Sequence, residues 1–210
     1  MSMRQLKITK SKNNSGSQSL EKYIQETGKV ELMSPEEEVK ELGTIKDQTL
    51  PGKPIIDIVK KCIQRNASVN TIAWAILGGK EMLPEEPVSG FEYISASLAG
   101  LTKHSVIYLA EIINVSIKDM ARLLNVSVTT LSLKKITDIL DPLTSSLLIE
   151  ITLTIAKGLS VFEDINKFNH WLFNKNKALQ EKKPFELLNT PTGIKMVSRV
   201  LGRIEEGVYT

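Results

Sequence analysis

The sequence predicts a mainly α-helical protein, with a helix-turn-helix core behind a flexible N-terminal arm. Three observations carry that prediction. Apolar residues recur at helical spacing through the second half, as in Val106, Leu109, Ala110 and Ile113. Helix starts are written as a cap followed by proline at Asp141-Pro142 and Thr190-Pro191. The stretch Ser116–Lys135 has the spacing of two short helices meeting at an angle.

In that stretch Ile117, Met120, Ala121 and Leu124 form one face of a helix of about two turns. Asn125 tolerates the left-handed backbone of a helix stop. Ser127 then caps a second helix, with Val128 and Leu131 turned inward. Ala121 lets the two helices approach closely. Thr129, Thr130, Ser132, Lys134 and Lys135 face outward and, with the Ser127 cap, form the expected DNA-contacting set for a major groove.

Composition limits the function classes. At 210 residues the chain has length for one or two domains and a real core. A net charge of +3 permits a nucleic-acid partner without demanding one. The single cysteine, Cys62, excludes an intrachain disulfide and a multi-thiolate zinc site. His104 and His170 stand far apart without companion ligands, so no metal is expected. No nucleophile elbow, phosphate loop or zincin motif occurs, so neither a cofactor nor catalysis is expected. No run approaches about 18 consecutive apolar residues and no secretory signal opens the chain, so a cytoplasmic protein with no membrane partner is expected.

Taken in order, the expected organisation is an arm (1–47), a linker with short helices (48–97), a helix-turn-helix domain (98–159) and a C-terminal helical module (160–210). The arm carries eight basic and eight acidic residues, with a polar hinge at Asn13–Gln18 and helix starts at Ser19 and Ser34-Pro35. Ile55–Cys62 and Val69–Leu77 read as short helices, the latter closed by Gly78-Gly79, and Leu83–Pro87 reads as a second linker. From Asp141 to about Leu159 local rules compete. Ile149, Ile151, Leu153 and Ile155 alternate with polar residues as in a strand, but the cap, the proline and the length favour a helix. Ser160–Phe173 reads as one helix presenting Ile165, Phe168 and Leu172. Pro184–Leu188 reads as a single turn, and Thr190 opens a final helix with Val197, Val200, Leu201 and Ile204 inward, ending at Gly207.

Two resemblances add function to this outline. Met3–Ser11, followed by Ser19–Leu42, resembles the extreme N-terminus of a bacterial primary sigma factor, which implies an arm able to engage RNA polymerase. The core-binding and promoter-reading helices of that family do not follow. The second resemblance rests on more residues: the Trp171-Leu172 helix, Asn176-x-Ala178-Leu179, Pro184 with Leu187-Leu188, Thr190-Pro191-x-Gly193, and the closing Leu201-Gly202-Arg203-Ile204-Glu205-x-Gly207-Val208-Tyr209. This set is similar to the toxin-binding module of Xre/MbcA/ParS-type antitoxins, and with the upstream motif it covers about 98–210. The resemblance implies a RES-domain toxin as partner, an NAD-consuming enzyme whose active site the antitoxin's tail occludes. It also implies a homodimer that binds operator DNA and represses its own operon. The toxin-contacting residues it implies are Trp171, Asn176, Arg203, Glu205, Glu206, Gly207, Val208, Tyr209 and Thr210.

Overall fold

The computed structural model describes residues 55–207 as ten α-helices, one of them long and central, and two single 3-10 turns, with no strand among the described residues. The expectations for 1–47 and for the tip Val208–Thr210 lie outside the described residues.

The centre is α7, Pro142–Phe162. Asp141 accepts from the Thr144 amide at 3.0 Å and Pro142 supplies the first-turn φ, so the start signal prevails over the strand-like alternation that follows. Thr152 and Thr154 fit because their hydroxyls donate to carbonyls one turn back, Leu148 O at 2.7 Å and Glu150 O at 3.1 Å. Helix α7 is long and apolar enough to cross a membrane by length and composition alone. Its surroundings explain the composition. Leu148, Ile151, Ile155 and Leu159 are fully buried beneath α2 (Val69–Leu77), α3 (Gly90–Ala99), α8 (Ile165–Phe173) and α10 (Pro191–Glu205).

The segment before the motif contributes to the same core. Helix α1 (Ile55–Gln64) buries Ile55, Val59 and Ile63 against α2 and α4 (Lys103–Ile113), while α2 adds Ile72, Ile76 and Leu77. Gly78 stops α2 at φ +115°, and its amide returns to Ala75 and Trp74. Trp74 is half-buried and donates to the Leu83 carbonyl at 2.9 Å, which fastens the 83–87 stretch to α2.

Two boundaries differ from the sequence reading. Helix α3 was not expected, although Ser89-Gly90-Phe91-Glu92 is a capping box and forms one. The expected helix Ser160–Phe173 is two elements, because α7 runs on to Phe162 and the chain turns at Glu163 (φ +53°) before Asp164 caps α8. The reason is packing. Gly158 leaves the space in which the Phe168 ring lies: a Cβ there would stand 2.0 Å from the ring, so α8 folds back onto α7.

Candidate functional site

The helix-turn-helix consists of α5 (Ile117–Leu123) and α6 (Val128–Leu133). Met120, Ala121, Leu124 and Leu131 are buried in the angle between them, and Asn125 turns the chain at φ +57°. Ser116 caps α5 through the Asp119 amide at 3.1 Å, and Ser127 caps α6 through the Thr130 amide at 2.9 Å.

The outward set is smaller than the sequence implied. Thr129 and Lys135 are exposed. Thr130 is exposed, but its hydroxyl is paired with that of Ser127 at 2.6 Å. Lys134 folds back, its Nζ donating to Ile139 O at 3.0 Å. Ser132 is half-buried, with its Oγ buried and without a hydrogen-bond partner.

Lys103 is the residue that sequence reasoning missed here. Its side chain is buried, and Nζ donates to the carbonyls of Ser132 at 2.9 Å and Lys134 at 2.7 Å, the open C-terminal end of α6. Burial of the ammonium lowers its pKa, with Asp138 acting against that shift. Helix α4 has no side-chain cap. Instead the amides of Lys103 and His104 donate to Asp138 O and Ile136 O at 3.0 and 3.1 Å, so one loop serves both helix ends. The available signal was a lysine at the first position of a helix, where the macrodipole disfavours a cation.

The C-terminal segment forms a second surface. Thr190 accepts from the Gly193 amide at 3.1 Å, and Pro191 opens α10. A Cβ at Gly193 would stand 1.9 Å from Leu187 O, so glycine at this position lets α9 (Pro184–Leu187) come this close to α10. Asn176 accepts from the Ala178 amide at 2.9 Å, and its main chain pairs with Lys182, which makes it a loop closer. Trp171 is half-buried, packed on Phe162 and Phe168 at centroid distances of 5.5 and 6.0 Å, with Nε1 buried and unpaired.

Arg203, Glu205, Glu206 and Gly207 stand exposed at the end of α10. Of these, Arg203 and Glu206 line a groove of about 700 Å³ between α7 and α10, where Lys157, Lys195, Arg199 and Arg203 outnumber Glu150 and Glu206. Lys157 reaches Glu205 at 3.7 Å, passing Gly202. The groove therefore presents net positive charge beside the point where the chain leaves for Val208–Thr210. The two surfaces are linked by one bond: Asn125 Nδ2 donates to Asn189 O at 2.8 Å.

His104 is a packing residue, its ring against Tyr108 at 4.0 Å and its Nε2 buried without a partner. His170 is exposed. Burial raises the pKa of the Cys62 thiol, the opposite of what a nucleophile needs.

No curated protein matches the chain. Residues 157–207, about a quarter of its length, match the family described as antitoxin Xre/MbcA/ParS C-terminal toxin-binding domain. The match runs from the end of α7 to the end of α10 and includes the Thr190 cap and the four cations of the groove, whereas Val69, Glu150, Leu153 and Thr154 of its lining fall before it. The C-terminal quarter of the chain is therefore similar to the toxin-binding domain of Xre/MbcA/ParS antitoxins.

Proposed function

We propose that the protein is an antitoxin that binds a RES-type, NAD-degrading toxin and occludes its active site, and that it represses its own operon as a homodimer through the α5–α6 motif. The observation that carries this reading is the match of 157–207 to a toxin-binding domain. The supporting geometry is a cationic groove beside the chain's exit toward Tyr209. In this reading the groove seats an acidic face of the toxin, and the last three residues reach the catalytic cleft. Three residues extend at most about 10 Å, enough to enter a cleft from its rim. Tyr209 brings a flat ring with a polar end, suited to a pocket made for a nucleotide. The protein acts by binding and needs no catalysis of its own.

The deciding experiment is co-expression with a RES-type toxin encoded by a neighbouring open reading frame, followed by pull-down and by measurement of NAD loss with purified toxin. Full-length protein should stop NAD loss. A variant lacking Gly207–Thr210 should bind the toxin and inhibit it poorly. Absence of a complex with the full-length chain would remove the antitoxin reading, whereas full inhibition by the truncated chain would move occlusion into the groove.

A further inference from the structure

Helix α3 is apolar on the side away from the core. Tyr93, Ala96 and Ser97 face inward, while Phe91, Ile94 and Leu98 are 79%, 56% and 68% exposed. Their spacing of i, i+3 and i+7 makes one continuous seam. Val88, 85% exposed, precedes it beside the Ser89 cap, and the exposed Ile139 continues it at Gly100. Along the seam runs a groove of about 530 Å³, lined by Leu83, Pro84, Ser95 and Ala99 and by two acids, Glu85 and Glu92.

The charge around the seam has one sign. From Glu81 to Thr102 the chain carries Glu81, Glu85, Glu86 and Glu92 and no lysine or arginine, within a protein of net charge +3. All four glutamates are exposed. Glu92 accepts from the Ser89 hydroxyl and from the Ser89 amide at 3.0 Å, bonds that hold its carboxyl below the ordinary range. Lys103, just past this stretch, is buried under α6. Lys134 reaches the Ile139 end, where its ammonium donates to the main-chain oxygen at 3.0 Å.

These charges decide between occupants. An anionic lipid surface or a nucleic acid would meet only carboxylates along the groove. A second copy packed face to face would set the same acids against one another. An extended strand would find no open main-chain edge, because a helix satisfies its own amides and carbonyls. An apolar stripe flanked by ammonium or guanidinium groups matches both parts of the face. We propose that the α3 seam and its groove are a docking face for a cationic amphipathic helix of another protein. Its apolar stripe lies along Phe91, Ile94 and Leu98, and its lysines or arginines meet Glu85 and Glu92. This face is separate from the cationic groove between α7 and α10 and does not depend on the antitoxin reading.

The test uses the full chain and a labelled synthetic helix of about 18 residues, with leucine at i, i+3, i+4 and i+7 and arginine elsewhere. Two control peptides carry glutamate for every arginine, or the same composition with the leucines shuffled off one face. Fluorescence anisotropy should show saturable binding of the first peptide and none of either control. Phe91→Ser combined with Leu98→Ser should weaken binding about tenfold or more. Circular dichroism should stay unchanged, since both side chains are largely in solvent. Glu85→Gln combined with Glu92→Gln, a change that a capping box tolerates, should weaken binding about threefold at low salt and flatten its salt dependence. Absence of binding by the wild type overturns the proposal, and so does equal binding of either control peptide. Unchanged affinity in the Phe91 and Leu98 variant, or an unaltered salt dependence in the glutamine variant, overturns it as well. Self-association of the full chain that excludes the peptide would put a second copy on this face instead. Failure to capture a toxin would leave the docking face standing.

Discussion

The ammonium of Lys103 donates to the main-chain carbonyl of Ser132 at 2.9 Å from a side chain that is almost wholly buried. A second bond to Lys134 O makes it a clamp on the end of α6. Hydrogen bonds from a charged donor contribute about 1.5–3 kcal/mol each, offset here by the cost of burying the ammonium. Lys103→Met should therefore destabilise the protein by about 2 kcal/mol in urea unfolding and loosen α6, and under the repressor proposal it should weaken DNA binding beyond the stability loss. Unchanged DNA affinity in a destabilised variant would confine the clamp to a structural role.

If the protein represses its own operon as proposed, the exposed residues of α6 can be separated by substitution. Thr129→Ala and Lys135→Ala should each weaken binding to the protein's own promoter by about 1 kcal/mol, near fivefold. Only the Lys135 change should also reduce the salt dependence. Ser132→Ala should leave affinity intact, because the hydroxyl is buried and unpaired. Fluorescence anisotropy over a salt series checks all three, and a large loss from Ser132→Ala would contradict the burial.

Glycines at close approaches should not accept a methyl group. Gly158→Ala drives a Cβ into the Phe168 ring, and Gly193→Ala drives one into Leu187 O. Overpacking costs about 1–3 kcal/mol, against roughly 1 kcal/mol gained in helix propensity. Both variants should melt lower, Gly193→Ala more so because a backbone atom cannot swing aside. An increase in melting temperature for either would show that the contact relaxes freely.

Acid should weaken the fold through His104. Burial holds its imidazole below the ordinary value of 6.5, with Glu81 acting in the opposite sense. The unfolded chain takes up a proton first, so the stability is whole above about pH 6.5 and is lost as pH falls from there toward the depressed folded-state value. Thermal melts from pH 7.5 to 5 should show a decline that is shallower in His104→Gln. Parallel curves for the two proteins would discard this histidine as the cause.

Much of this architecture was legible because its helices announce their starts. Asp141-Pro142, Thr190-Pro191, Ser116 and Ser127 each place a side-chain acceptor where three orphan amides need one, and each forms the bond its position implies. Helix α3 escaped notice for a physical reason. Phe91, Ile94 and Leu98 make its outer side as apolar as its inner one, so periodic contrast vanishes. The turn at Glu163 escaped too, since left-handed backbone at a glutamate carries no compositional mark. Residue type identified the α6 helix but not how each side chain is placed on it, and the Ser132 hydroxyl is buried. Tertiary partners such as Lys103 on Ser132 and Asn125 on Asn189 are separated by 29 and 64 positions, distances at which local rules are silent.

The family match begins at residue 157, partway along α7. The earlier turns of that helix, with Leu148, Ile151 and Ile155, fall before it, yet α8 and α10 rest on α7. The toxin-binding segment thus borrows its floor from the residues that precede it. Cut at the family boundary, it would present to water the apolar underside that α7 now covers. It is less a cassette that can be transplanted between proteins than the upper storey of a building whose foundations belong to the helix-turn-helix.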